Sequence, residues 1–195
     1  MSAWTFLREF LRDPAKVGAL APSGRALAEL EVGAAGIEPG HVVVELGAGT
    51  GPMTAALLEH HSDNLLICLE PADELADCLE QRFPGLKVHR RFAQDLPEIL
   101  AEVGATKVDR VVSSLPWAAW SSTLQDAVFE GIESVLAPDG RMVTFTYAHT
   151  AVLPNARRFR SKLHEHFDSV HTTRIAWANI PPAFVYVCDT PRARH

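Results

Sequence analysis

The sequence predicts a doubly wound α/β domain, on three observations. Short apolar, β-rich runs alternate with segments of helical spacing, a glycine-rich turn follows the first of those runs, and the last two runs lie too close together for a crossover. The composition agrees: 195 residues, 47% hydrophobic and 22% charged, suit one globular domain with its own core.

Taken in order, the chain opens with Trp4, Phe6, Leu7, Phe10 and Leu11 at helical spacing, interleaved with Arg8, Glu9, Arg12 and Asp13. Such an amphipathic helix either packs on its own domain or lies on an anionic lipid surface, and the sequence leaves both open. Residues 1–38 form this extension and residues 39–195 the main domain. Within the main domain, runs 42–46, 65–69, 88–89, 110–113 and 142–147 read as strands, and segments 52–61, 72–83, 96–103 and 124–136 as covering helices. A basic helical stretch, 155–166, then leads to two β-rich runs at 170–178 and 183–188. Only 179–182 separate those runs, so they must pair antiparallel.

Several function classes fall away. Cys68, Cys78 and Cys188 are an odd number without close spacing, which disfavours a disulfide framework or thiolate zinc site. The histidines lack carboxylates at ligand spacing, so no metal is expected, and no nucleophile elbow suggests a hydrolase. No run is long and apolar enough for a bilayer span and no signal sequence is visible, which points to the cytoplasm, with peripheral contact at the inner membrane face as a further option. A net charge of −6 opposes a stable nucleic-acid partner. Arg157, Arg158, Arg160 and Lys162 concentrate positive charge, which reads first as a solvated helix face and second as a phosphate or membrane contact.

The chemistry-bearing signal begins at Glu45, which runs into Gly47, Gly49 and Gly51 and then a helix opened by Pro52. This GxGxG spacing matches a dinucleotide fingerprint poorly. Glu70, about twenty residues further on at the end of the second strand, can grip ribose hydroxyls. Asp95 can accept a hydrogen bond from an adenine amino group, cap a helix, or both. The fourth strand ends in Ser113-Ser114-Leu115-Pro116-Trp117, at the carboxyl edge where open α/β sheets bind ligands.

The run Glu45-Leu46-Gly47-Ala48-Gly49-Thr50-Gly51 with Glu70 and Asp95 resembles the first three motifs of class I S-adenosylmethionine (SAM) methyltransferases. That resemblance implies a Rossmann-like, seven-stranded sheet with an antiparallel last strand. A narrower resemblance, to bacterial phospholipid N-methyltransferases acting on phosphatidylethanolamine, rests on four segments: Asp13-Pro14 with 17–23, residues 113–116, Phe145-Thr146-Tyr147, and 179–183 running into Val185-Tyr186-Val187. The rRNA adenine dimethyltransferases are more distantly similar. The implied cofactor is SAM, held by Glu45, Gly47, Ala48, Gly49, Gly51, Glu70, Pro71, Asp95, Ser114 and Leu115, with residues 17–23 as a lid. Tyr147 and Ser114 are expected at the reacting amine, and Pro116, Trp117, Trp120, Tyr147 and Asn179 around the acceptor. The expected reaction is N-methylation of a lipid amine; a small soluble amine, an rRNA adenine, or mere SAM binding are the alternatives. Trp117, Trp120 and Tyr147 offer aromatic faces to a quaternary product.

Overall fold

The computed structural model describes residues 22–192. The expected amphipathic helix around Trp4–Leu11 and most of the expected lid lie outside the described residues. Helix α1 (Pro22–Ala35) precedes strand β1 (Val42–Leu46). There follow α2 (Pro52–His60), β2 (Leu65–Leu69), α3 (Asp73–Arg82), β3 (Val88–His89) and α4 (Leu96–Val103). After β4 (Val108–Ser113) come α5 (Ser122–Val135), β5 (Leu136–Tyr147), α6 (Pro154–His166), β6 (Phe167–Thr172) and β7 (Ala183–Pro191). The seven strands form one sheet in the order β3-β2-β1-β4-β5-β7-β6. Strands β1 to β5 are parallel, and β7 runs antiparallel to both β5 and β6.

Period-two alternation divides the core between the two faces. Val44, Leu46, Ile67, Leu69, Val111 and Met142 face α4, α5 and α6, where Leu96, Phe129, Ile132, Phe159 and Leu163 are buried. Val43, Val112, Val143, Val185 and Val187 face Leu27, Ala28 and Val32 of α1 and Met53, Ala56 and Leu57 of α2. Helix α1 therefore packs on the sheet as an integral layer. No helix among the described residues is long and apolar enough to cross a membrane.

Two strands, β5 and β6, depart most from the expected bounds. Strand β5 starts at Leu136, not Met142: Val108 pairs with Leu136, the register then slips, and pairing resumes at Arg110 with Arg141. Pro138-Asp139-Gly140 sits inside that irregular stretch. Strand β6 begins at Phe167, directly off α6, and ends at Thr172 rather than running through 178. Thr173 closes the ladder by accepting the Val185 N–H on its hydroxyl and donating its own N–H to Val185 O. The connection is thus 173–182, tied back by one isolated bridge between Ala176 and Ala183. Pro181 and Pro182 supply no N–H for further ladder bonds.

Candidate active site

The glycine turn is held open by backbone geometry and braced by a carboxylate. Gly47, Gly49 and Gly51 all have positive φ, a region that side-chain-bearing residues rarely adopt. A Cβ on Gly51 would come within 2.7 Å of Leu79 Cδ2 and 2.8 Å of Phe83 Cε2, so the turn lies against α3. At Gly49 nothing lies nearer than Gly47 O at 4.0 Å, so backbone there is open to an approaching ligand. Glu70 Oε2 accepts the Gly49 N–H at 2.9 Å, and its Oε1 accepts the Ala72 N–H at 3.0 Å. Each oxygen keeps a second lone pair for a ribose hydroxyl. Burial raises the Glu70 pKa against those two bonds, which favour the charged form.

Glu45 faces the opposite side of β1 from Leu46 and is fully buried. The Thr54 hydroxyl of α2 lies 2.9 and 3.0 Å from its two oxygens. Burial outweighs this donor and pushes the carboxyl up to about 7.

Beside the turn a cavity of about 400 Å³ gathers five of the expected residues: Gly47, Pro71, Asp95, Leu115 and Trp120. Leu46, Leu69, Leu124 and Val128 give it an apolar floor, and Phe92 and Gln94 join its wall. The residues fit an adenosyl group: the cavity is mostly apolar, and the Trp120 indole N–H is buried without a hydrogen-bond partner. Asp95 accepts the Phe92 N–H at 3.0 Å, so it shapes the turn that carries it. Leu124 and Val128 escape sequence reasoning because nothing but the tertiary fold brings α5 to the Ala93–Asp95 turn. Gly131 carries a retrospective signal, since a Cβ there would meet Ala93 O at 2.5 Å. A larger hollow of about 700 Å³ runs beside β2, α3 and β3 and contains none of the expected residues.

The acceptor residues divide differently. Ser114 donates its N–H to Leu46 O at 3.0 Å, which pins the end of β4 to the end of β1. Trp117 does not present an aromatic face: it is 2% exposed, stacked 4.6 Å from Phe129 and 5.3 Å from Phe159, with its N–H on Ser113 Oγ. The core takes it because the turn after Pro116 points it between α5 and α6, while Trp120, three residues on, reaches the cavity. Pro116 is half-buried at the head of that turn. Asn179 is 3% exposed and donates to Pro181 O, so its side chain builds the 173–182 loop. Tyr147 is half-buried at the end of β5, edge-on to Phe145 and outside the cavity lining. Burial raises its pKa, so the phenol stays protonated at neutral pH. Lys162 corrects the solvated-face reading: Arg157, Arg158 and Arg160 are exposed, but Lys162 is buried against Asp126 at 2.5 Å and Ser122 Oγ at 2.7 Å. Glu29, Glu59 and His60 bring ligand-type atoms together on the surface, where Arg25 already pairs with both glutamates.

No protein-family model matches the chain. It is 35% identical over 187 residues, 94% of its own length and 93% of the relative's, to an ornithine lipid N-methyltransferase of Singulisphaera acidiphila. The chain belongs to that enzyme's family, within the class I SAM-dependent methyltransferases. Solved structures agree on the fold. The N-methyltransferase NodS of Bradyrhizobium japonicum superposes with a TM-score of 0.66 at 12% identity, covering 89% of this chain and 99% of the other. Human methyltransferase-like protein 13, in complex with SAH, gives 0.58 at 16% identity over 85% and 79%. The methyltransferase is therefore a SAM-dependent enzyme, and the residues of the glycine turn and its adjoining cavity are chemically suited to that cofactor.

Proposed function

We propose that this methyltransferase N-methylates the amine of a lipid head group, phosphatidylethanolamine or an ornithine lipid, while resting on a membrane surface. The observation that carries the reading is a set of exposed apolar side chains beside the end of β5. Trp177 is 73% exposed, Ile180 80%, Val152 63% and Leu153 51%. The two loops bearing them are joined where the Ala148 N–H meets Pro182 O, next to Tyr147. Large apolar groups clustered at one rim suit insertion into a lipid interface. The relative's lipid substrate supports the same class.

SAM supplies a methyl already activated on its sulfonium, so this chain's task is to hold a neutral amine in line and dry. A protonated Tyr147 does not serve as a base; its hydroxyl and that of Ser114 orient the nitrogen by hydrogen bonding. With Trp117 in the core, Tyr147 and Trp120 are the aromatics left to face a growing cationic product.

The test is incubation with isotopically labelled SAM and vesicles containing phosphatidylethanolamine or ornithine lipid, beside soluble ethanolamine, ornithine and unmodified rRNA, with products read by mass spectrometry. Labelled lipid is expected, and Trp177→Asp with Ile180→Asp should abolish vesicle sedimentation while sparing SAH binding. Labelling confined to soluble amines or to RNA refutes the proposal.

A further inference from the structure

Glu31 sits where an acid has no structural partner. It lies on α1, is 0% exposed, and neither carboxylate oxygen meets a hydrogen-bond donor in good geometry. Burial and the neighbouring Glu45 both raise its pKa, while the Ser113 backbone at the end of β4 lowers it. Glu31 thus stands between the carboxyl ends of β1 and β4, on the sheet face that carries Glu45, immediately before the glycine turn.

The surroundings supply no compensating charge among the described residues. Strands β4, β5 and β7 turn Val112, Val143 and Val185 toward α1, and α2 adds Met53 and Ala56. From β2 and the residue after it, Cys68 and Glu70 act on Glu45, and Glu70 adds a further repulsion. Arg141 of β5 is spent elsewhere, on Ala34 O and Asp189. Two buried carboxyls with no cation beside them among the described residues persist by holding protons or by meeting a cation from outside those residues.

We infer that Glu31, with Glu45, receives the α-ammonium of SAM, so that the helix before β1 contributes a second acidic ligand to the cofactor. An acceptor amine fits the pair poorly, because it must become neutral to react. The cofactor's ammonium stays a cation throughout the reaction. Receiving it requires ionised carboxylates, so cofactor binding expels protons and tightens as pH rises from 6 to 8.

Calorimetry in buffers of different ionisation enthalpy tests this with two probes: SAH, which carries the ammonium, and 5′-methylthioadenosine, which keeps the adenosine and sulfur but lacks the amino-acid part. Near pH 6 the wild type should release more than one proton per SAH, more than Glu45 alone supplies, and fewer per methylthioadenosine. Glu31→Gln should weaken SAH by about ten- to a hundred-fold, the range of a buried charge-assisted hydrogen bond, reduce proton release, and leave methylthioadenosine within about two-fold. Glu31→Met, of similar volume, stands in if the glutamine variant does not fold. Unchanged SAH affinity and proton release in either variant overturn the inference. If neither variant folds, the wild type decides: release of one proton or fewer per SAH overturns it.

Discussion

Gly131→Ala sets two effects of known size against each other inside α5. A mid-helix glycine replaced by alanine gains about 1 kcal/mol of helix propensity. Here, however, the new Cβ would stand 2.5 Å from Ala93 O, 2.9 Å from Ala93 C and 3.0 Å from Gln94 Cα. These are backbone atoms, unable to swing aside as a side-chain tip does. Restoring an ordinary 3.4 Å contact demands roughly 0.9 Å of movement between α5 and the Ala93–Asp95 turn, and overpacking of this kind costs about 1–3 kcal/mol. Because the contacted atoms are backbone the clash wins: net destabilisation is about 1 kcal/mol and at most about 2, a fall in Tm of about 2–8 °C. Because the displaced turn carries Ala93, Gln94 and Asp95 of the cofactor cavity, SAH affinity should fall as well. Thermal unfolding and SAH titration measure both. Gly33→Ala is the internal control, since this α1 glycine is exposed with nothing within 4 Å of its added Cβ, and it should raise Tm. A Gly131→Ala protein as stable as wild type, with unaltered SAH binding, would refute the packing argument.

Further outcomes follow from the same structure. Trp117→Ala should cost about 3–5 kcal/mol in urea unfolding, as removal of a buried aromatic does, whereas Trp120→Ala should act chiefly on SAH affinity. Asn179→Ala should lose about 1 kcal/mol with its bond to Pro181 O and leave SAH binding unchanged, as titration would show. The ligand-free protein has a distinctive pH response. Glu31 and Glu45 have raised pKa values in the folded state, so their stabilising contribution is full below the unfolded carboxylate range and is lost as pH rises toward 7 and above. For Glu45 alone the loss is roughly 3 kcal/mol. Accordingly Glu31→Met should gain in Tm over the wild type between pH 5.5 and 8; a difference independent of pH would count against buried, protonated acids.

The legible parts of this molecule are those whose signal is local. Glu45 through Pro52 announces a strand, a turn with left-handed backbone and a helix start within eight residues, and the structure places them so. The antiparallel end of the sheet is legible from chain length alone, because no crossover fits between its last two runs. What escapes depends on distant partners. Trp117 and Trp120 are indistinguishable in sequence, yet α5 and α6 bury one while the cavity takes the other. Lys162 looks like its neighbours Arg158 and Arg160 until Asp126, far back in the chain, is found beside it. Glu31 carries no motif; only the packing of α1 onto β4, β5 and β7 shows that its charge is stranded.

The two bonds of Glu70 have a mechanical consequence. One carboxylate holds the loop after β1 through Gly49 and the loop after β2 through Ala72, so the two walls of the proposed cofactor site are fastened to each other. A nucleoside docking at the proposed site would meet loops already tied together, which leaves less ordering for binding to accomplish. Swapping this one acid for a glutamine would leave one of those amide hydrogens facing an NH₂ group, unlatching one wall. Adenosine-bearing ligands are then expected to associate more slowly with that variant than with the native protein.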